Sequence, residues 1–182
     1  MAVDPFQGFA NPVTGEYFRC LSSSETAYTT EWIVQPGGYV PFEHIHPGQD
    51  EVFHIREGEM RALVNKQEYV VGAGQTLTIP RGVRHQARNA GILPLVSVVE
   101  YVPGLDSYQL FQCFAGLTID RALNRRGLVN APRIMYLMRR MRIRALVRPA
   151  WLPAQAFHAL MMLFLGVGTL AGWNSLRERY TA

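Results

Sequence analysis

Three histidines and one glutamate are the residues of this 182-residue chain best suited to chemistry. His44 and His46 stand two apart, Glu51 follows five positions after His46, and His85 comes later. On a strand, residues i and i+2 project from one face, so His44 and His46 can reach one point while Ile45 faces the other way. Glu51 follows the turn-forming segment Pro47-Gly48-Gln49-Asp50 and opens the run Glu51-Val52-Phe53-His54-Ile55, so an adjacent strand can deliver a carboxylate to the same spot. His85 comes just after Pro80-Arg81-Gly82, a turn entering another strand. Three neutral imidazoles and a carboxylate make a mixed N/O site for a divalent first-row metal (Fe, Mn, Ni or Zn), with room left for water or substrate. A closed structural zinc site more often uses thiolates, and Cys20 and Cys113 lie away from these motifs. The competing reading takes these groups as ordinary polar residues of a barrel. It has to accept the cost of burying them together without a cation. His54 alternates out of phase with Glu51, and His158 sits in an apolar segment, so both are expected to be structural.

The elements needed to hold those four groups are short strands. Tyr28 to Val34, Phe42 to His46, Glu51 to Ile55, Met60 to Val64, Tyr69 to Val71, Thr76 to Ile79, His85 to Asn89 and Leu95 to Tyr101 are β-rich segments separated by turn residues. That rhythm implies an antiparallel sandwich or barrel. Phe42 shares the parity of His44 and His46, and Phe53 and Ile55 share that of Glu51. These three are expected to line a substrate-binding wall beside the metal, or to be plain core. The glycines are read as turn residues, and no Gly-rich element precedes a helix, which leaves nucleotide binding without support.

Gly38, His44, His46, Glu51 and Gly58, followed by Gly74, Pro80, Gly82, His85 and Asn89, together form a pattern that closely resembles the two-part signature of the cupin superfamily. The resemblance covers roughly residues 28 to 102. It implies a double-stranded β-helix, or jelly-roll, with His44, His46, Glu51 and His85 as metal ligands. Cupins include dioxygenases, decarboxylases, isomerases, epimerases, lyases, storage proteins and sugar-binding regulators, so the likeness does not select a reaction.

The rest of the chain has a different character. Residues 1–108 carry seven basic and twelve acidic residues, a net −5, whereas 109–182 carry eleven arginines and two acids, a net +9. Two regions are expected: a barrel over 1–108 and a helical tail over 109–182. Met1-Ala2-Val3-Asp4-Pro5 has neither a basic nor an apolar leader region, so a cleaved signal peptide is not expected. Two cysteines suggest no disulfide framework. In the tail, Leu110 to Ala122 has helical spacing, and Ile134 to Val147 mixes apolar residues with Arg139, Arg140, Arg142 and Arg144. Such an arginine-rich amphipathic helix suits an anionic membrane surface. Trp151 to Trp173 is uncharged over about 22 residues, roughly 33 Å of helix. Gly168 and Gly172 within it form a small-xxx-small pair that another helix can approach.

Membrane lipid is thus an expected partner through residues 131–176. Three arrangements of the tail stay open: a transmembrane anchor with the barrel on the cytoplasmic side, an in-plane interfacial element, and a helical cap on the barrel or on a homodimer partner. The interleaved Met, Leu and Ile argue against nucleic acid. The fold class expected is therefore an all-β cupin barrel with an α-helical, membrane-prone C-terminal extension. The function expected is metal-dependent oxidation or isomerisation of a small apolar or lipid-soluble molecule. The rivals are a tethered, non-catalytic binding or sensing module and a structural subunit that keeps the cup as a stabilising metal site. No Ser-His-Asp or Cys-His nucleophile accompanies the site. Tyr39, Arg61, Glu100 and Tyr101 are candidates for proton transfer that strand parity alone does not place.

Overall fold

The computed structural model describes residues 3–181. In chain order its strands are β1 (Phe9–Asn11), β2 (Glu16–Ser23), β3 (Tyr28–Val34), β4 (His44–Ile45), β5 (Asp50–Glu57), β6 (Glu59–Val64), β7 (Gln67–Gly72), β8 (Thr76–Ile79), β9 (His85–Asn89), β10 (Leu95–Val102) and β11 (Arg148–Pro149). The helices are α1 (Ser107–Ile119), α2 (Ala131–Arg140), α3 (Ala154–Leu170) and α4 (Asn174–Thr181).

Alternation along the strands builds the sandwich. Tyr28, Thr30, Trp32 and Val34 of β3 point inward and are buried, as are Leu95, Ser97, Val99 and Tyr101 of β10 and Glu51, Phe53 and Ile55 of β5. Six strands run in the order β1-β2-β3-β10-β5-β8, and a second sheet runs β11-β4-β9-β6-β7. All the pairings are antiparallel. Two glycines of the motif have identifiable work. Gly58 turns β5 into β6 at φ 78°, with the carbonyl of Pro94 where a Cβ would go, and Gly38 is wedged against Val34 and the carbonyl of Thr14. Asn89 donates to the carbonyls of Val34 and Leu93 and accepts from the amide of Gly91, so it ties off the end of β9.

Helix makes up much of the second half, so the molecule is not all-β. Its helices do not stand apart from the barrel either. Phe111 of α1 stacks on Tyr28 at 4.9 Å between ring centroids, and β11 pairs with β4, Pro149 opposite His44. A second apolar core, including Tyr136, Leu137, Phe157 and Tyr180, holds the helices to one another. The helix expected over 134–147 ends at Arg140, because Arg142 takes a left-handed backbone (φ 56°) and the chain turns away toward β11. The 151–173 segment is not one span. α3 has 17 residues, Gly172 at φ 72° follows it, and α4 leaves at 96°. Among the described residues no single helix is long and apolar enough to cross a membrane.

Candidate metal centre

β-Register brings the four groups together. β4 lies beside β9 with His44 directly opposite His85. In the facing sheet, Glu51 of β5 lies opposite Tyr101 of β10. His46 follows the end of β4. One donor atom from each of His44, His46, Glu51 and His85 lies within 4.8 Å of the other three, and all four residues are buried. Donors that share one ion at ~2.0–2.2 Å stand at most ~4.4 Å apart, so the four groups would draw in by a few tenths of an ångström to hold it.

Hydrogen bonding fixes which ring nitrogens can face that ion. Nδ1 of His44 lies 3.2 Å from the carbonyl of Phe42, and Nδ1 of His85 lies 3.0 Å from the carbonyl of Val83. A carbonyl only accepts, so each Nδ1 carries the proton and directs Nε2 to the centre, the arrangement of a ligating imidazole with an oriented ring. His46 differs, since neither of its ring nitrogens makes a hydrogen bond although the residue is buried; Oε2 of Glu51 lies 3.5 Å from its Nε2. A buried imidazole without partners is costly, and a cation at the centre would satisfy it.

The charges agree with this. Burial holds the pKa of His44 well below the ordinary value, helped by His85 and His46, and burial brings His46 down to about 4, so both are neutral bases near pH 7. Burial by itself would raise Glu51, but His46 and His85 outweigh it and bring the carboxyl down to about 2. Nε2 of His85 lies 2.6 Å from Oε2 of Glu51. Burial opposes charge on His85, yet the carboxylate prevails and raises it, so a divalent ion would have to displace that proton.

Beside the four groups lies a cavity of about 160 Å³ with walls that include Phe42, Phe53, Trp32, Val99 and Phe111. Phe42 and Phe53 thus line the cavity beside the four groups. Ile55 takes the other place expected of these residues: two positions along β5 from Phe53, it is buried in the barrel core and does not line the cavity. His54 points away and pairs with Thr76, and His158 is exposed, its Nδ1 donating to the carbonyl of Ala154. Of the proton-transfer candidates, Tyr101 lies in the cavity wall, its ring 5.3 Å from that of His46. Glu100 turns outward toward His54, and Tyr39 and Arg61 are not among the lining residues.

Sequence reasoning missed Glu16. It lies in the same cavity wall, its Oε1 accepting from the indole of Trp32 at 3.1 Å and its Oε2 from the hydroxyl of Thr14 at 2.7 Å. Burial dominates those two bonds and pushes its pKa up to about 7. A helical tail also forms part of the wall through Leu110, Phe114, Thr118, Val129 and Val147.

Residues 30–99 match the family model described as the cupin domain. Protein SchB of Streptomyces halstedii is 32% identical over 78 residues, 40% of this chain and 56% of SchB, so the chain spans little more than half of that relative. Among solved structures, a conserved Klebsiella pneumoniae protein with a double-stranded β-helix domain is 22% identical, covering 49% of this chain and 73% of its own, with a TM-score of 0.46. An RmlC-like cupin from Shewanella frigidimarina is 20% identical, covering 50% and 78%, with a TM-score of 0.45. The family match contains all four converging side chains, so it is residues 30–99 that carry the likeness to the cupin domain.

Proposed function

We propose that this cupin-like domain is a metal-dependent enzyme that oxidises or isomerises a small, largely apolar molecule carrying an oxygen function. The observation that carries this reading is His46, an enclosed imidazole with no hydrogen-bond partner, set beside a carboxylate and two oriented imidazoles in the wall of a largely apolar cavity. A bound Fe(II), Mn(II), Ni(II) or Zn(II) ion would supply Lewis acidity toward the substrate oxygen or, for a redox-active ion, reactivity with O₂. The protein's part is positioning and proton handling. An apolar void of about 160 Å³ suits a molecule about the size of a single aromatic ring. Trp32, Phe53 and Phe111 would grip its faces and exclude water. Glu51 serves as a ligand or, if released, as a base. Glu16, a cavity-wall carboxyl poised near neutrality, is suited to take up or return a proton.

The test begins with bound metal. Wild-type protein reconstituted with each ion should hold about one equivalent, and His46→Ala should lose most of it; equal content in the two would refute the site. Single-ring phenols, diketones and hydroxy acids are then tested with the loaded protein. A metal-dependent rise in Tm with turnover supports the enzyme, while the same rise without turnover makes the domain a binding module.

A further inference from the structure

The two faces of α3 have opposite surroundings. Inward, Phe157, Met161 and Gly168 are buried, and the ring of Tyr136 on α2 fills the space over Gly168. Outward, Met162, Leu163, Val167 and Leu170 are exposed, Leu170 to 91%, and Trp151 just before the helix is 75% exposed. Positions 163, 167 and 170 recur at helical spacing and make one continuous apolar stripe. From Pro149 to Leu176 there is no Asp, Glu, Lys or Arg to interrupt it.

The charge that flanks this stripe is almost all of one sign. Arg139 of α2 lies against Met162, its Nε 3.0 Å from the sulfur, and the guanidinium of Arg133 sits 5.9 Å from the ring centre of Trp173. Of the eleven arginines between 121 and 181, Arg144 and Arg179 are in ion pairs, and among the described residues the other nine have no carboxylate within 4.0 Å. A second copy of the chain docked on this face would set one cationic rim against another. A lipid surface rich in anionic headgroups instead supplies the apolar layer and the opposite charge together.

We propose that α3 lies in the plane of an anionic bilayer, its outer stripe sunk to the level of the upper acyl chains and the flanking arginines on the lipid phosphates. The fold itself opposes a straight crossing. α4 is fastened to α1: Leu176 and Tyr180 are buried, the Tyr180 hydroxyl donates to Asp120 at 2.6 Å, and Arg179 pairs with the same carboxylate. Straightening α3 and α4 into one span would pull Tyr180 out of that seat. This inference is independent of the metal site.

Vesicle flotation of the full chain tests it, using phosphatidylcholine with and without phosphatidylglycerol. Expected are flotation only with the anionic vesicles, release by high salt or alkaline carbonate, and quenching of Trp151 fluorescence by lipids brominated along their chains, lost in Trp151→Phe. Leu163→Gln combined with Leu170→Gln should lower partitioning roughly tenfold or more, because each removes apolar surface from the acyl boundary. Both positions are exposed, so the variant should melt like the wild type. Several results would overturn the proposal: no flotation, undiminished binding by the double variant, resistance to carbonate extraction, which would mean a crossing, or a dimer in sedimentation velocity that the double variant dissolves.

Discussion

Glu16 illustrates what a buried carboxyl does to both stability and chemistry. Its pKa is raised from 4.5 to about 7 in the folded protein, so between those values the native state holds a proton that the unfolded chain has released. Folding is then favoured most below pH 4.5, and that contribution is lost as pH rises through about 7. The full effect is about 3 kcal/mol. In Glu16→Gln the amide can still accept from Trp32 and donate to Thr14, mimicking the protonated acid. Urea denaturation at pH 5 and pH 8 should therefore show the wild type losing about 2.5 kcal/mol more than the variant over that interval, the remainder having gone below pH 5. Parallel profiles would mean that Glu16 is ionised throughout and unsuited to proton transfer. The four candidate ligands were legible because their logic is local: His44 and His46 share a face by parity, and turns announce Glu51 and His85. Glu16 was not, since its role arises from Trp32, Thr14 and the cavity, and the carboxyl of a strand end looks like any solvated acid.

At the scale of elements, the packing of α2 on α3 depends on one missing side chain. A Cβ at Gly168 would collide with the ring of Tyr136, which is fully buried and whose hydroxyl donates to Asn174 at 2.6 Å. Gly168→Leu should lower stability by at least ~1–3 kcal/mol, read as a fall in Tm, because the Tyr136 ring cannot shift without breaking that bond. Gly166 faces open space, so Gly166→Ala at the same helix depth should leave the protein as stable or slightly more so. Helix periodicity singled out Gly168 as a site of close approach but could not say that the partner is α2 of the same chain. Strand rhythm identified Tyr28–Val34, Thr76–Ile79 and His85–Asn89 with the bounds found in the structure. It passed over β2, whose pairing with β3 shifts register between Cys20 and Ser22, and β11, too short to alternate at all. The α2 boundary was overrun because apolar residues continue at helical spacing past Arg140, although Ile143 is buried in the second core from a non-helical backbone.

The whole molecule ties its metal cup to its tail, in a way the change of charge near residue 108 did not reveal. β11 lies along the outer edge of β4, and the amide of Ala150 donates to the carbonyl of Glu43 at 2.8 Å, so the tail braces the strand that presents His44 and leads to His46. The side chain of Glu43 is meanwhile held by Arg84 of the segment leading into His85. Ending the chain after Arg144 would remove β11, α3 and α4, leave β4 an unpaired edge and uncover Tyr136 and Leu137 in the helical core. Exposing even two such side chains costs about 3–6 kcal/mol, comparable to the total stability of many domains. The expected result is aggregation, or a barrel that refolds with markedly less bound metal than the full chain. Metal analysis alongside far-UV circular dichroism distinguishes these outcomes. Full metal content with an unchanged barrel melt would instead make the C-terminal elements an independent appendage. The coupling has a consequence for function as well: Val147, just before β11, lies in the cavity wall, so a change in how α3 is held can reach the pocket through β11 and β4. A lipid-bound protein should then differ from the free one in its affinity for a pocket ligand, and titration of one ligand with and without anionic vesicles measures that difference.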